Sequence, residues 1–253
     1  MAVFRQPDRP AGGCPTLIAA GAAKGIVTMT EKQGNQRREN PGLSRFEEGS
    51  VRGFLHQPEG PAEASLVLTH GAGGNCESPL LAAVAAAFCA AGLAVLRCDL
   101  PFRQRRRFGP PAPAAAEGDR AGLKDAILLL SAASPGGQVF LGGHSYGGRQ
   151  ASILATEEPD LAAGLLLLSY PLHPPGKPER QRTAHLPNLK TASLFAHGSK
   201  DPFGSLEEMQ QALSLIPART ALVPIAGAGH DLNRGKFDID GLLVREFKGL
   251  AGL

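Results

Sequence analysis

A serine at the centre of Gly143-His144-Ser145-Tyr146-Gly147 is placed for nucleophilic chemistry, with an apolar run before it and a helix-like segment, 150–158, after it. Strand, tight turn and helix in that order is the setting of a nucleophile elbow, in which a sharp, strained turn lifts the hydroxyl above the sheet edge. Side chains at Gly143, Gly147 or Gly148 would collide with neighbouring backbone there. The pentapeptide alone also fits an ordinary turn of small residues. A serine hydroxyl is a weak nucleophile near neutral pH, so it needs a base to take its proton and an acid to orient that base. On strand-to-helix elbows the partners follow in the order Ser, Asp/Glu, His. Two residues meet that order: Asp201 in His197-Gly198-Ser199-Lys200-Asp201-Pro202-Phe203-Gly204, and His230 in Gly227-Ala228-Gly229-His230-Asp231.

Each has a plainer reading. Asp201 before a proline can begin a turn or cap a helix, and His230 alone is an ordinary loop histidine. Their joint order and their positions after apolar, strand-like runs favour the catalytic reading. Asp231 adjoins the histidine and Asp99 precedes the serine, so both are weaker acids for the role; His144, His173 and His197 also flank the region. Acyl transfer passes through an oxyanion that pre-aimed backbone N–H groups can hold. The expected donors are the N–H of Tyr146 and that of Ala72, within His70-Gly71-Ala72-Gly73-Gly74. His70, Gly71, Gly73, His144, Tyr170 and His173 are further candidates for substrate contact.

The surrounding chain has to place these groups at strand ends. Residues 44–48 and 51–56 read as a β-hairpin. Strands are expected over 64–69, 93–98, 139–142, 163–169, 192–197 and 220–225, the apolar runs suiting parallel strands covered on both faces. Helices are expected over 79–91, 119–132, 150–158, 206–215 and 239–248, with a Ser78-Pro79 start and Gly92 closing the first. Alternating strands and helices predict an α/β, doubly wound and mostly parallel sheet, with catalytic groups at the carboxyl ends of the strands. Residues 1–43, rich in Pro, Gly, Arg, Gln and Asn, read as a disordered extension rather than a signal peptide, with Met29 a candidate functional start. Residues 44–253 form one domain.

Composition narrows the function further. The 253 residues carry a formal charge of +3, too little to argue for nucleic acid or a membrane surface. The four cysteines, Cys14, Cys76, Cys89 and Cys98, show no metal-binding spacing and suit a reducing compartment, the cytoplasm. No apolar run reaches membrane-spanning length. Arg103, Arg105, Arg106 and Arg107 follow a strand end; a solvated basic loop is the plain reading, recognition of an acidic substrate the functional one. The segment between the strands at 169 and 192 is short and proline-rich, leaving no room for a large helical cap.

From about residue 44 to the end the chain looks like an α/β-hydrolase. Thr69-His70-Gly71-Ala72-Gly73-Gly74, Leu100-Pro101-Phe102, Gly142 to Arg149, Tyr170-Pro171-Leu172-His173-Pro174-Pro175-Gly176-Lys177 and the His197–Gly204 stretch resemble the Tex/KANSL-type hydrolase-like family, distantly related to dienelactone hydrolases. The Tyr-Pro-Leu-His-Pro-Pro-Gly-Lys stretch is its most specific mark. That family's pattern has Lys and Met flanking the serine, where this chain has His144 and Tyr146. The resemblance implies the fold and a hydrolytic triad of Ser145, Asp201 and His230. The residues predict a serine hydrolase cleaving an ester, thioester or related acyl bond of a small molecule, with no cofactor and no metal. The alternative is a non-catalytic binding module or complex subunit on the same fold. Nucleic-acid binding through the arginine loop is disfavoured, because interleaved aromatics are limited to Phe102 and Phe108. Oligomeric state is not legible.

Overall fold

A computed structural model describes residues 42–134, 136–232 and 239–253. The expected extension lies outside the described residues as far as residue 41, and Leu43 already opens the first strand. The strands are β1 (Leu43–Glu48), β2 (Val51–His56), β3 (Ala64–Thr69), β4 (Leu93–Cys98), β5 (Gln138–His144), β6 (Leu165–Leu168), β7 (Ser193–Gly198) and β8 (Thr220–Ile225). They form one sheet in the order β1-β2-β4-β3-β5-β6-β7-β8. The β1–β2 hairpin turns at Gly49-Ser50 and joins β4 antiparallel; every other pair is parallel. This is the α/β-hydrolase fold, mostly parallel with an antiparallel N-terminal pair.

The helices are α1 (Pro79–Ala90), α2 (Pro101–Arg105), α3 (Ala116–Ala133), α4 (Tyr146–Glu157), α5 (Leu206–Leu213) and α6 (Asp240–Ala251). Their starts follow from local chemistry. Ser78 Oγ accepts the Leu81 N–H with Pro79 at the first helical position, and Ser205 and Glu208 close a reciprocal capping box on α5. Helices α1 and α6 cover one face of the sheet, with Phe88 and Phe140 of β5 both packing against Phe247; α3, α4 and α5 cover the other through Leu123, Ile127, Leu154 and Met209. Because both faces are covered, all six residues of β3 are buried.

Three features of these elements matter for the site. Helix α4 begins at Tyr146, directly after the serine, rather than at residue 150. The arginine-rich connection contains the short helix α2, with Pro101 in its first turn. The β6–β7 connection holds only a single 3-10 turn, Leu186–Asn188, and tucks Tyr170, Leu172, His173 and Leu189 into the body of the protein. It raises no helical cap.

The sheet order brings β3 beside β5, with Thr69 opposite Gly143. The glycine-rich loop after β3 and the turn after β5 therefore emerge side by side at the carboxyl edge.

Candidate active site

Ser145 joins β5 to α4 with φ 53° and ψ −116°, a conformation that a residue with a Cβ adopts only under strain. Two hydrogen bonds hold it there: its N–H donates to Leu168 O at 2.8 Å, and its carbonyl accepts the Arg149 N–H at 2.9 Å. The turn is tight enough that a Cβ on Gly147 would stand 2.5 Å from His70 O. The requirement for glycine at this position is thus steric.

Asp201 and His230 arrive on the loops after β7 and β8. Those loops are tied together by Lys200 N–H to Ala228 O at 2.8 Å and by Gly227 N–H to Ser199 Oγ at 2.8 Å. His230 Nδ1 lies 2.8 Å from Asp201 Oδ2 and 3.0 Å from Oδ1, while His230 Nε2 lies 2.7 Å from Ser145 Oγ. With the proton on Nδ1, the imidazole donates to the carboxylate and accepts from the serine. The Asp201 side chain is fully shielded from solvent and also accepts the Phe203 N–H at 2.9 Å. The structure brings the expected acid, base and nucleophile into one hydrogen-bonded line.

The loop after β3 stands against that line: a Cβ on Gly71 would fall 3.3 Å from Ser145 Cβ. His70 is buried and spent on the scaffold, accepting the Leu100 N–H on Nε2 at 3.1 Å and donating Nδ1–H to Gly71 O at 2.8 Å. Burial lowers its pKa. A cavity of about 510 Å³ opens over the serine, and among its walls are His70, Gly71, Ala72, Gly73, His144 and His230. Pro79, Leu80 and Phe203 add apolar surface.

Tyr146, expected as an oxyanion donor, is not among the residues lining the cavity. Its hydroxyl points away from the cavity and donates to Asp119 Oδ2 at 2.8 Å; burial, then this bond, push the phenol pKa up. His144 is on the cavity wall, with its Nε2 2.8 Å from the carbonyl oxygen of His230. Burial lowers its pKa to about 4, so the neutral ring donates Nε2–H to that carbonyl.

Two candidates for substrate contact are corrected. Tyr170 is buried, its hydroxyl donating to Arg182 O at 2.7 Å, and burial raises its pKa to about 12. His173 is also buried, with Nδ1 2.9 Å from Pro174 O and Nε2 3.4 Å from Glu208 Oε2. Neither lines the cavity, because the β6–β7 connection packs inward instead of rising over the site. None of Arg103, Arg105, Arg106 or Arg107 lines it either. Arg105 to Arg107 are exposed, whereas Arg103 is only 6% exposed, contrary to both readings of that run.

Three groups beside the site make contacts that the sequence did not reveal. Phe203 stacks on the His230 ring, centroids 4.1 Å apart and 28° between planes, while its N–H holds Asp201. Its place two residues after the acid was the available signal. Asp119, fully buried, accepts the Phe102 N–H and the Tyr146 hydroxyl, linking α2 and α4. Arg103 donates to the Ala72 carbonyl at 2.8 Å. Asp119 carried no local signal, and Arg103 stood out only as one of the arginine run. Among the described residues no group of three His, Cys, Asp or Glu side chains is arranged to hold a metal ion, and no helix is long and apolar enough to cross a membrane.

Comparison with known proteins agrees with this architecture. The alpha/beta hydrolase domain family matches residues 62–240. An alpha-beta serine hydrolase homologue from Coxiella burnetii superposes with TM-score 0.65 at 16% identity, covering 83% of this chain and 99% of that one. Dienelactone hydrolase from Anabaena variabilis gives 0.63 at 22% identity, covering 83% and 96%. An α/β serine hydrolase without a lid from Xanthomonas campestris gives 0.63 at 16% identity, covering 84% and 98%. At these identities the likeness is one of fold.

Proposed function

This chain belongs to the alpha/beta hydrolase family, and we propose that it acts within that family as a serine hydrolase cleaving an ester, thioester or related acyl bond. The observation that carries this reading is the unbroken line from Asp201 through His230 to Ser145, with contacts of 2.8 and 2.7 Å. In the proposed reaction Ser145 Oγ attacks the substrate carbonyl as its proton passes to His230 Nε2. Asp201 fixes the imidazole tautomer and stabilises the imidazolium. The N–H groups of Ala72 and Tyr146 hold the oxyanion. Collapse of the tetrahedral intermediate breaks the bond to the leaving alcohol or thiol, which takes the proton from His230. A water molecule, deprotonated by His230, then releases the acid and restores the serine.

The absence of a helical cap among the described residues, together with the largely apolar wall, supports small or flexible acyl groups and a carboxylesterase-like preference. The fold-level likeness to a dienelactone hydrolase and to a lidless hydrolase runs in the same direction. The His-Gly-Ala-Gly-Gly and Tyr-Pro-Leu-His-Pro-Pro-Gly-Lys stretches support a place in the Tex/KANSL-type branch. Residues 44–253 act as one domain. Cys76, Cys89 and Cys98 are free, which supports a reducing, cytoplasmic setting.

The test is labelling with a fluorophosphonate probe and turnover of short p-nitrophenyl esters, for the protein and its Ser145→Ala variant. Labelling and turnover lost in the variant, with kcat down about 10⁴–10⁶-fold, are expected. Equal or absent labelling in both proteins would overturn the hydrolase reading and leave a binding module.

A further inference from the structure

The loop that approaches Ser145 is built to be soft. His70-Gly71-Ala72-Gly73-Gly74 has little side-chain bulk, and glycine loses more conformational freedom on ordering than any other residue. Its carbonyls show what stiffens it. Gly71 O accepts from His70 Nδ1 at 2.8 Å and from the Gly74 N–H at 3.1 Å. Ala72 O accepts from Arg103 Nη2 at 2.8 Å, the only hydrogen bond to that carbonyl among the described residues.

Arg103 spends a charged side chain on three backbone carbonyls, Ala72 O among them. It is 6% exposed, Nη1 donates to Arg106 O at 3.0 Å, and Nη2 also donates to Gly109 O at 2.9 Å. Its guanidinium lies 4.9 Å from the Phe102 ring centroid. Phe102 meets the His70 ring edge-on at 5.6 Å and the Tyr146 ring at 5.8 Å, so both halves of the proposed oxyanion hole rest on the same aromatic ring. Among the described residues no carboxylate forms an ion pair with Arg103, and its Nε has no partner. A buried charge satisfied only by carbonyls is costly to keep. Pinning a loop needs only a neutral donor; a full positive charge also acts on a negative charge developing nearby.

We propose that Arg103 is a positioning residue of the oxyanion loop, holding the Ala72 carbonyl so that the Ala72 N–H stays aimed at Ser145's substrate and adding positive potential where the oxyanion forms. This rests on the serine-hydrolase reading. It also assigns a role to one member of the arginine run, distinct from the recognition of an acidic substrate.

The test compares Arg103→Met, Arg103→Gln and Arg103→Lys with the unaltered protein. Each is assayed for p-nitrophenyl ester turnover, inhibition by an aryl trifluoromethyl ketone, whose hemiketal adduct carries an oxyanion, and amide hydrogen exchange at Gly71 to Gly74. R103M is expected to lose about 10- to 100-fold in kcat, somewhat less than removing a direct oxyanion donor, with KM moving less than about 3-fold. Ketone inhibition should weaken by the same factor, and loop exchange should quicken. R103K should recover most of the kcat loss, whereas R103Q should slow loop exchange again without recovering kcat. Unchanged kcat and ketone affinity in R103M, or a loss that R103K does not mend while loop exchange stays slow, overturns the proposal. If the unaltered protein neither turns over esters nor binds the ketone, the hydrolase reading fails by itself. Loop exchange still decides the positioning role, which falls if R103M exchanges as slowly as the parent. Should R103M not fold, R103Q against R103K carries the same contrast.

Discussion

His144→Phe removes a side-chain hydrogen bond to the backbone of the proposed base. His144 Nε2–H reaches the His230 carbonyl at 2.8 Å, and the two rings lie 5.2 Å apart. Losing a hydrogen bond of this kind costs about 0.5–1.5 kcal/mol, so kcat on a short ester should fall about 2- to 10-fold. His144→Gln can offer an amide N–H to the same carbonyl and should stay within about 3-fold of the parent. The charge state matters as much as the bond. His230 becomes a cation as it takes the serine proton, and a second cation at 5.2 Å would oppose it by about 3 kcal/mol at an effective dielectric constant near 20. Burial, which lowers His144 to about 4, removes that penalty at any pH well above 4. The acid limb of kcat/KM should therefore follow one proton and steepen to two only as pH approaches 4; the steepening should vanish in both variants. Stopped-flow ester assays from pH 3.5 to 8 measure this. A two-proton limb already present at pH 6, or an H144F enzyme with the rate and profile of the parent, would refute the reasoning.

Two further outcomes are expected. Asp201→Asn should lower kcat by about 10³–10⁴-fold, because an amide no longer enforces the Nδ1–H tautomer of His230; a fall of less than 10-fold would mean another group orients the base. His56, His144 and His185 are each lowered from 6.5 to about 4, mainly by burial, so the unfolded chain takes up their protons first as pH falls. Stability should be full above about pH 6.5 and drop between 6.5 and 4 by up to about 1.4 kcal/mol per pH unit for each histidine; urea midpoints at pH 7 and 5 check it, and equal midpoints would contradict it.

Where local chemistry and tertiary need coincide, the sequence was an accurate guide. The β2, β3, β4 and β8 bounds match their apolar runs, and the hydrogen-bonded grouping of Ser145, His230 and Asp201 follows the expected order and strand-end positions. Helix α4 was misjudged at its start because Gly147 and Gly148 weaken helix propensity, whereas packing of the turn against His70 and Gly143 requires them. Tyr170 and His173 were drawn towards the substrate by their chemistry, but only the inward path of the β6–β7 connection decides where they go. The contacts of Arg103 and Asp119 were invisible for a related reason: their partners, Ala72 and Tyr146, lie 31 and 27 residues away in sequence. No local pattern encodes such pairings.

The spacing of the three residues gives the site a birth order. Ser145 and its strained turn are synthesised 85 residues before His230, and Asp201 29 residues before it. At ribosomal rates of roughly 5–20 residues per second, the hydroxyl is made on the order of ten seconds before its base. A nascent chain carrying the elbow, β3 and the glycine-rich loop thus holds a serine still without its proposed base. On the proposed mechanism, reactivity is withheld until the final strand pairs with β7 and the loop after it closes on Asp201, so the chemistry would arrive at about the moment the sheet is finished.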